Sequence, residues 1–276
     1  MIYINCIFFG KLHIPYFFTT TYEEWKESLL NDIDGEGRKL FADTTLKGAY
    51  MNGEIIGFIQ YGISKFGFDE NGEISDKIHY QIIRNIYFDR NFSNAGELLL
   101  NSALEEFNSK ERIYAFFHYF GMSVYARHGK LFEKYDYIGE LLRDHGFVIE
   151  HENVYYSLES ISDAKKSIDV QWNEYREGNT QCALFIIDDK WVGECEVHFV
   201  SNDNVYLRWI YIDENMQNNG IGSRCIQSLM YHLAERGYVR LDTDTALLNE
   251  IAQKYYEKNG FKRQGLTRSY YLEKNN

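Results

Sequence analysis

The sequence predicts an α/β protein made of two tandem copies of one domain. Three observations predict it. Strand-like and helical patterns alternate through the C-terminal half. A loop rich in Asn and Gly, Gln217-Asn218-Asn219-Gly220-Ile221-Gly222, joins a strand pattern to a helical one. The same order of elements recurs, weakened, in the N-terminal half.

The C-terminal half reads as follows. Residues 183–187 and 191–200 form strands around the turn Asp188-Asp189-Lys190, a hairpin. Asn202-Asp203-Asn204 is a second turn, and 205–212 the next strand. Beyond the Gly loop, Ile226, Leu229, Met230 and Leu233 share one helix face, and Gly237 ends that helix. A strand over 238–243, a helix over 249–258 stopped by Gly260, and a final hairpin through Phe261 and 269–272 complete this half.

In the N-terminal half, Met51-Asn52-Gly53-Glu54 is a turn and 55–62 a strand. Residues 85–88 form a strand, and 97–107 a helix with Leu98, Leu99, Ala103 and Leu104 as core. Glu140 to Asp144 leads into Gly146-Phe147, as Glu257-Lys258-Asn259 leads into Gly260-Phe261. Tyr87-Phe88-Asp89-Arg90-Asn91 parallels Tyr211-Ile212-Asp213-Glu214-Asn215, which sets Gly96 opposite Gly220. The pattern breaks at 160–166, so the expected domains are 1–160 and 161–276.

Composition narrows the classes. A net charge of −12 argues against nucleic acid, which is bound by clustered Lys and Arg. It is compatible with a cationic substrate. The four cysteines form no C-x-x-C and the eight histidines no H-E-x-x-H, so no metal centre is expected. No apolar run is long enough to span a bilayer and no leader pattern opens the chain, so a cytoplasmic protein without membrane attachment is expected.

A Gly-rich strand-to-helix loop suits a pyrophosphate. Glycine admits close backbone approach, and the first N–H groups of the helix face the anion. The dinucleotide fingerprint fits poorly. Its third glycine position holds Cys225, and residues 213–219 separate the strand from Gly220. A nucleotide-hydrolase P-loop is excluded, because no Gly-Lys-Ser/Thr follows.

The loop and a second element together resemble the GNAT superfamily of acyl-CoA-dependent N-acetyltransferases. The first element is a strand followed by Q/R-x-x-G-x-G/A, here 217–222. The second is Asn249, Ala252 and Tyr256-Glu257-Lys258-Asn259-Gly260-Phe261. The resemblance covers roughly 165–276. It implies tandem domains, each a mixed, largely antiparallel sheet flanked by helices, with acetyl-CoA held where two central strands splay. Gln217, Asn218, Asn219, Gly220, Ile221, Gly222 and Ser223 would hold the pyrophosphate. Main-chain groups of Ile210 and Ile212 would pair with the pantetheine arm. Asn249 would contact that arm or serve as a helix N-cap, or both. In the N-terminal half Ser93, Leu98 and Leu142 replace motif residues, so that half is expected to keep the fold without the cofactor site.

The implied reaction is acetyl transfer to a primary amine of a small molecule or peptide, by a monomer or homodimer. Tyr256 would protonate the departing thiolate, unless it is a core tyrosine. Some family members carry a strand glutamate as base, but Tyr206 stands there. Glu194, Glu196 and His198 share one strand face, and Glu196 is the nominee against a water relay. The alternative function is a non-catalytic acyl-CoA-binding or protein-interaction module.

Overall fold

The computed structural model describes residue 14 and residues 21–33, 37–108, 111–123, 129–177 and 179–273, with backbone alone at 174–177. It divides into two compact units. The first holds the described residues of Thr20–Glu152 and Thr267–Asn276, and the second Asn153–Leu266. The change of unit at 152/153 falls eight residues before the boundary expected from the sequence, and residues 267–276 belong to the first unit.

The first unit opens with helix α1 (Tyr22–Leu30), whose Thr21 and Glu24 form a reciprocal capping box. Strands β1 (Phe41–Met51) and β2 (Glu54–Ser64) form a hairpin. Asn52 and Gly53 both have positive φ, 51° and 84°, which matches the twist of paired strands. A small hairpin, β3 (Gly67–Phe68) and β4 (Ile74–Ser75), precedes β5 (Gln81–Phe88), which pairs with β2. Helix α2 (Ser93–Leu104) packs on β2 and β5. Strand β6 (Ile113–Ala115) runs parallel to β5. Strand β7 (Leu131–Phe132), helix α3 (Asp136–Asp144) and strand β8 (Val148–Leu158) follow.

The helix read over 97–107 spans Ser93–Leu104 instead, and its buried face is centred elsewhere than expected. Ala95, Gly96, Leu99, Leu100 and Ala103 are buried, while Leu98 is 72% exposed. The side chain of Arg84 is the polar anchor of this unit. Its guanidinium donates to the carbonyls of Ser28 (2.8 Å), Phe120 (2.9 Å) and Gly121 (2.7 Å) and pairs with Asp32. A buried cation is stable only when so completely partnered.

In the second unit, β9 (Asp169–Glu177), β10 (Thr180–Ile187), β11 (Lys190–Phe199) and β12 (Asn204–Ile212) form an antiparallel meander. Asp188 and Asp189 close the β10–β11 hairpin with φ of 47° and 61°. Helix α4 (Ile221–Glu235), strand β13 (Arg240–Ala246), helix α5 (Glu250–Lys258) and strand β14 (Lys262–Leu272) complete the chain. Within this unit the order is β9-β10-β11-β12-β13-β8, antiparallel except at β12–β13. Residues 262–272 form one strand, not the hairpin expected from the sequence. The strand expected at 238–243 starts two residues later, because Tyr238 belongs to the cap of α4. Its N–H donates to Leu233 O and that of Gly237 to Ala234 O. Helices α3 and α5 end the same way, through Gly146-Phe147 and Gly260-Phe261.

One face of the sheet packs on Cys225, Ile226, Leu229 and Leu233 of α4 and on Tyr256 of α5, through Ala183, Phe185, Cys195, Val197, Val205, Leu207 and Leu241. Among the described residues no helix is long and apolar enough to cross a membrane.

Gly193 lets β11 approach the end of β12. A Cβ there would lie 2.3 Å from the carbonyl oxygen of Tyr211. Gly193→Ala should therefore destabilise the protein by about 1–3 kcal/mol, read as a lower urea midpoint at unchanged slope. An unchanged midpoint would show that the two strands separate there at no cost.

Candidate active site

Strand β12 pairs with β13 over four residues only, from Asn204↔Arg240 to Leu207↔Thr243. At the last pair, Thr243 Oγ1 donates to Leu207 O at 2.9 Å. Beyond it β13 follows β8 as far as Ala246↔Asn153, while β12 follows β11 as far as Ile212↔Gly193. The register with β11 slips between Glu196↔Trp209 and Val197↔Leu207, leaving Arg208 as a bulge. A bulge bends its strand, so β12 turns away from β13 and a wedge opens. Ile210 and Ile212 lie on the diverging arm, with side chains packed against the core and still partly exposed.

Eight residues, 213–220, connect β12 to α4. Asp213 accepts from the backbone N–H of Asn215 and starts a short turn at Glu214–Met216. Gln217 donates from Nε2 to Ile212 O at 2.9 Å, tying the loop to the strand end. Asn218 and Gly220 have positive φ, 62° and 76°, and nothing lies within 4 Å of a Cβ built on Gly220. Gln217, Asn218, Asn219 and Gly220 are exposed, and Ile221, Gly222 and Ser223 are half-buried in the first turn of α4. The opening N–H groups of a helix have no carbonyl partners within it, and the helix dipole makes them a seat for an anion. Gly222 is where β12, α4 and α5 meet. A Cβ there would sit 3.2 Å from the Tyr255 ring and 3.6 Å from Ile212.

Helix α5 lies against this loop. The Tyr255 hydroxyl donates to Gly222 O at 2.8 Å, and burial holds that hydroxyl well above its usual pKa. Asn249 is the N-cap, accepting from Ala252 N at 3.1 Å. It is flanked by Leu248 and Ile251, which are 93% and 84% exposed. Tyr256 is buried, its ring 5.8 Å from that of Tyr156 and 5.5 Å from that of Phe261.

The sheet face away from α4 is polar and aromatic. Glu196 forms an ion pair with Arg208 at 2.8 Å. Its neighbour Cys182 has its thiol pKa raised by burial and then by that carboxylate. Cys225 is pushed up to about 12 and Cys195 well above its usual range by burial, which keeps both thiols protonated. Tyr206 donates to Asp244 Oδ1 at 2.7 Å. Asp242, fully buried, accepts from Tyr155 (2.7 Å), Asn204 (3.0 Å) and Arg240 (2.8 Å). Of these two aspartates, sequence reading passed over Asp244. Their spacing in Leu241-Asp242-Thr243-Asp244-Thr245 puts two carboxylates on one strand face, which was the available clue. Asp244 is the first residue past the last β12–β13 pair, at the apex of the wedge. Trp209 and Tyr211 lie opposite Glu196 and Glu194 and are exposed, with Tyr211 stacked on Trp191 at 6.0 Å.

The first unit has the same wedge, closed. Strand β5 pairs with β6 only from Gln81↔Ile113 to Ile83↔Ala115. Past that point every β5 residue is buried. Tyr87 packs edge-on against Phe116 and Tyr135, and Phe88 against Tyr137. Tyr137 donates to Phe88 O at 2.6 Å, and burial raises its hydroxyl to about 12. The connection from β5 to α2 has four residues, 89–92, half the length of its counterpart. The N-cap is Phe92, so Gly96 does not take the place of Gly220. It lies inside α2, where a Cβ would meet the Phe88 ring at 2.5 Å. A cleft of about 500 Å³ in this unit lies between β1 and the start of α2, lined by Tyr50, Met51, Ile56, Phe92, Ser93 and Leu98.

Residues 145–261 match the family described as "Acetyltransferase (GNAT) family". No curated protein matches the sequence. Among solved structures, a GCN5-related glucosamine N-acetyltransferase region of a fungal multi-domain β-N-acetylglucosaminidase is similar over 98% of this chain, at 13% identity and a TM-score of 0.60. The likeness spans 36% of that longer enzyme. A tandem GNAT protein from the clavulanic acid biosynthesis pathway is similar over all of this chain and 94% of its own, at 8% identity and a TM-score of 0.58. A Drosophila protein matches over all of this chain and 95% of its own, at 9% identity and a TM-score of 0.51. At such identities the structural likeness speaks for the fold alone. Residues 145–261 thus match the GNAT acetyltransferase family, and the chain as a whole shares its fold with a tandem GNAT protein.

Proposed function

We propose that the second unit transfers an acetyl group from acetyl-CoA to a primary amine of a small molecule or peptide. One observation carries this reading. The loop 213–220, with left-handed residues at Asn218 and Gly220, ends at the start of α4 beside the only β12 arm that leaves its parallel neighbour. This supports reading the loop as an anion seat at one end of a strand edge that could pair with an amide-bearing arm.

In this reading the N–H groups of 217–223 hold the pyrophosphate, and the backbone of Ile210 and Ile212 orients the pantetheine arm. The side chain of Asn249 caps α5, while Leu248 and Ile251 form an apolar lip beside it. The amine nitrogen attacks the thioester carbonyl, so a C–N bond forms and the C–S bond breaks. Asp244, linked to Tyr206, takes the proton the amine loses, and Tyr256 returns one to the sulfur. Glu196 is held by Arg208, which suits it to orient an acceptor more than to accept a proton. Glu194, Glu196, Trp209 and Tyr211 together offer carboxylates and exposed aromatic faces, a surface suited to a second positive charge on the acceptor.

Acetyl-CoA at one hundred times its Kd should stabilise the fold by about 2.7 kcal/mol, seen as a raised Tm. No shift at millimolar cofactor would sink the cofactor assignment. Tyr256→Phe should lower kcat by roughly 10²-fold or more while leaving the KM for acetyl-CoA nearly unchanged. Unaltered turnover would return Tyr256 to a packing role. Asp244→Asn should lower kcat by a similar order and Glu196→Gln should act mainly on the acceptor KM; the reverse pattern would restore Glu196 as base. Detectable cofactor binding without thiol release across a broad amine panel would favour a non-catalytic acyl-CoA-binding module.

A further inference from the structure

We propose that His118, Glu150 and His151 of the first unit bind one divalent transition-metal ion, with zinc favoured. One potential ligand atom from each residue lies within 4.8 Å of the other two. The residues come from two elements. His118 opens a single turn of 3-10 helix, His118–Phe120, and Glu150 and His151 are neighbours on β8. Neighbours on a strand ordinarily project to opposite faces, so their convergence on one imidazole is not what the strand alone produces.

The donors are already oriented. The His118 ring is wedged between those of Phe117, at 5.1 Å, and Tyr119, at 3.9 Å. Its Nδ1 lies 3.7 Å from Glu150 Oε2, and the His151 ring stands edge-on to it at 4.4 Å. Glu150 Oε2 also accepts from Ser269 Oγ at 3.1 Å, an outer contact of the kind that fixes a ligating carboxylate. The side chains of His118 and Glu150 are 10% and 17% exposed, whereas His151 is exposed. Two ligands are therefore held by packing, and the third lies at the solvent-exposed side.

Two imidazoles and one carboxylate are a donor set that zinc and its first-row neighbours accept. Bond lengths of about 2.0–2.2 Å put tetrahedral ligand atoms roughly 3.3–3.5 Å apart, so closure needs side-chain movements of about 1 Å. Lys130 is a positive charge that acts electrostatically on His118. Glu150 offsets it. The bound ion would tie the 118–120 turn to β8.

The test uses the full chain, stripped with a chelator and titrated with Co²⁺ and Zn²⁺. One Co²⁺ per chain should bind with visible d–d absorption, Zn²⁺ should displace it, and Zn²⁺ should raise the Tm. His151→Ala, at the exposed ligand, should abolish the absorption while leaving the metal-free Tm unchanged. His118→Gln should abolish it as well, and His145→Ala, elsewhere in the unit, should leave it intact. Absence of binding at millimolar Co²⁺, or binding that survives His151→Ala, would overturn the proposal.

Discussion

Four residue pairs of parallel ladder, ending at Leu207↔Thr243, set the geometry of the second unit. Had the ladder continued, the backbone of 208–212 would be spent on β13. The bulge at Arg208 prevents that by bending β12, and Gly193 keeps the departing arm attached to β11. The same bulge turns the Arg208 side chain toward Glu196. An open strand edge is ordinarily a hazard that proteins cover. Here it ends at a helix start with exposed Gly and Asn, so the exposed groups face a place where a ligand can satisfy them.

The first unit shows what the same ladder becomes when side chains close the gap. Its parallel pairing also stops early, yet the space is taken by Phe88, Tyr87, Tyr135 and Tyr137, and the Phe88 carbonyl is capped by a phenol instead of a loop glutamine. Shortening the connection from eight residues to four removes the backbone that would wrap an anion. Rings fill the space beside the ladder, and burial keeps the Tyr137 hydroxyl protonated at any ordinary pH.

Local signals made much of this legible in the sequence. Gly146, Gly237 and Gly260 announce three helix ends through a demand for positive φ, and Asn52-Gly53 and Asp188-Asp189 announce two hairpins for the same reason. The Gly loop was readable because its backbone needs and its apolar neighbours coincide. Long-range matters were not readable. The start of α2 lies four residues before the expected one, which puts Gly96 inside the helix, and Leu98 faces solvent because which of three consecutive leucines meets the sheet is decided by tertiary packing. Nothing local reports that Tyr206 meets Asp244, since strands adjacent in the sheet are forty residues apart in the chain. His118 and the Glu150-His151 pair converge for the same long-range reason, which no motif spacing reveals.

Strands β8 and β14 each pass from one compact unit into the other, changing allegiance at 152/153 and at 266/267. Heredity and modularity are affected by this. A chain cut at residue 160 would strip β13 of its entire partner from Leu241↔Leu158 to Ala246↔Asn153 and leave a raw edge next to the wedge. The two halves look like separable beads when read along the sequence, but neither carries a complete set of its own strands. A cut at residue 160 would likewise deprive β6 of β14, its partner from Tyr270↔Ala115 to Leu272↔Ile113, so each half completes a sheet with chain from the other half of the sequence.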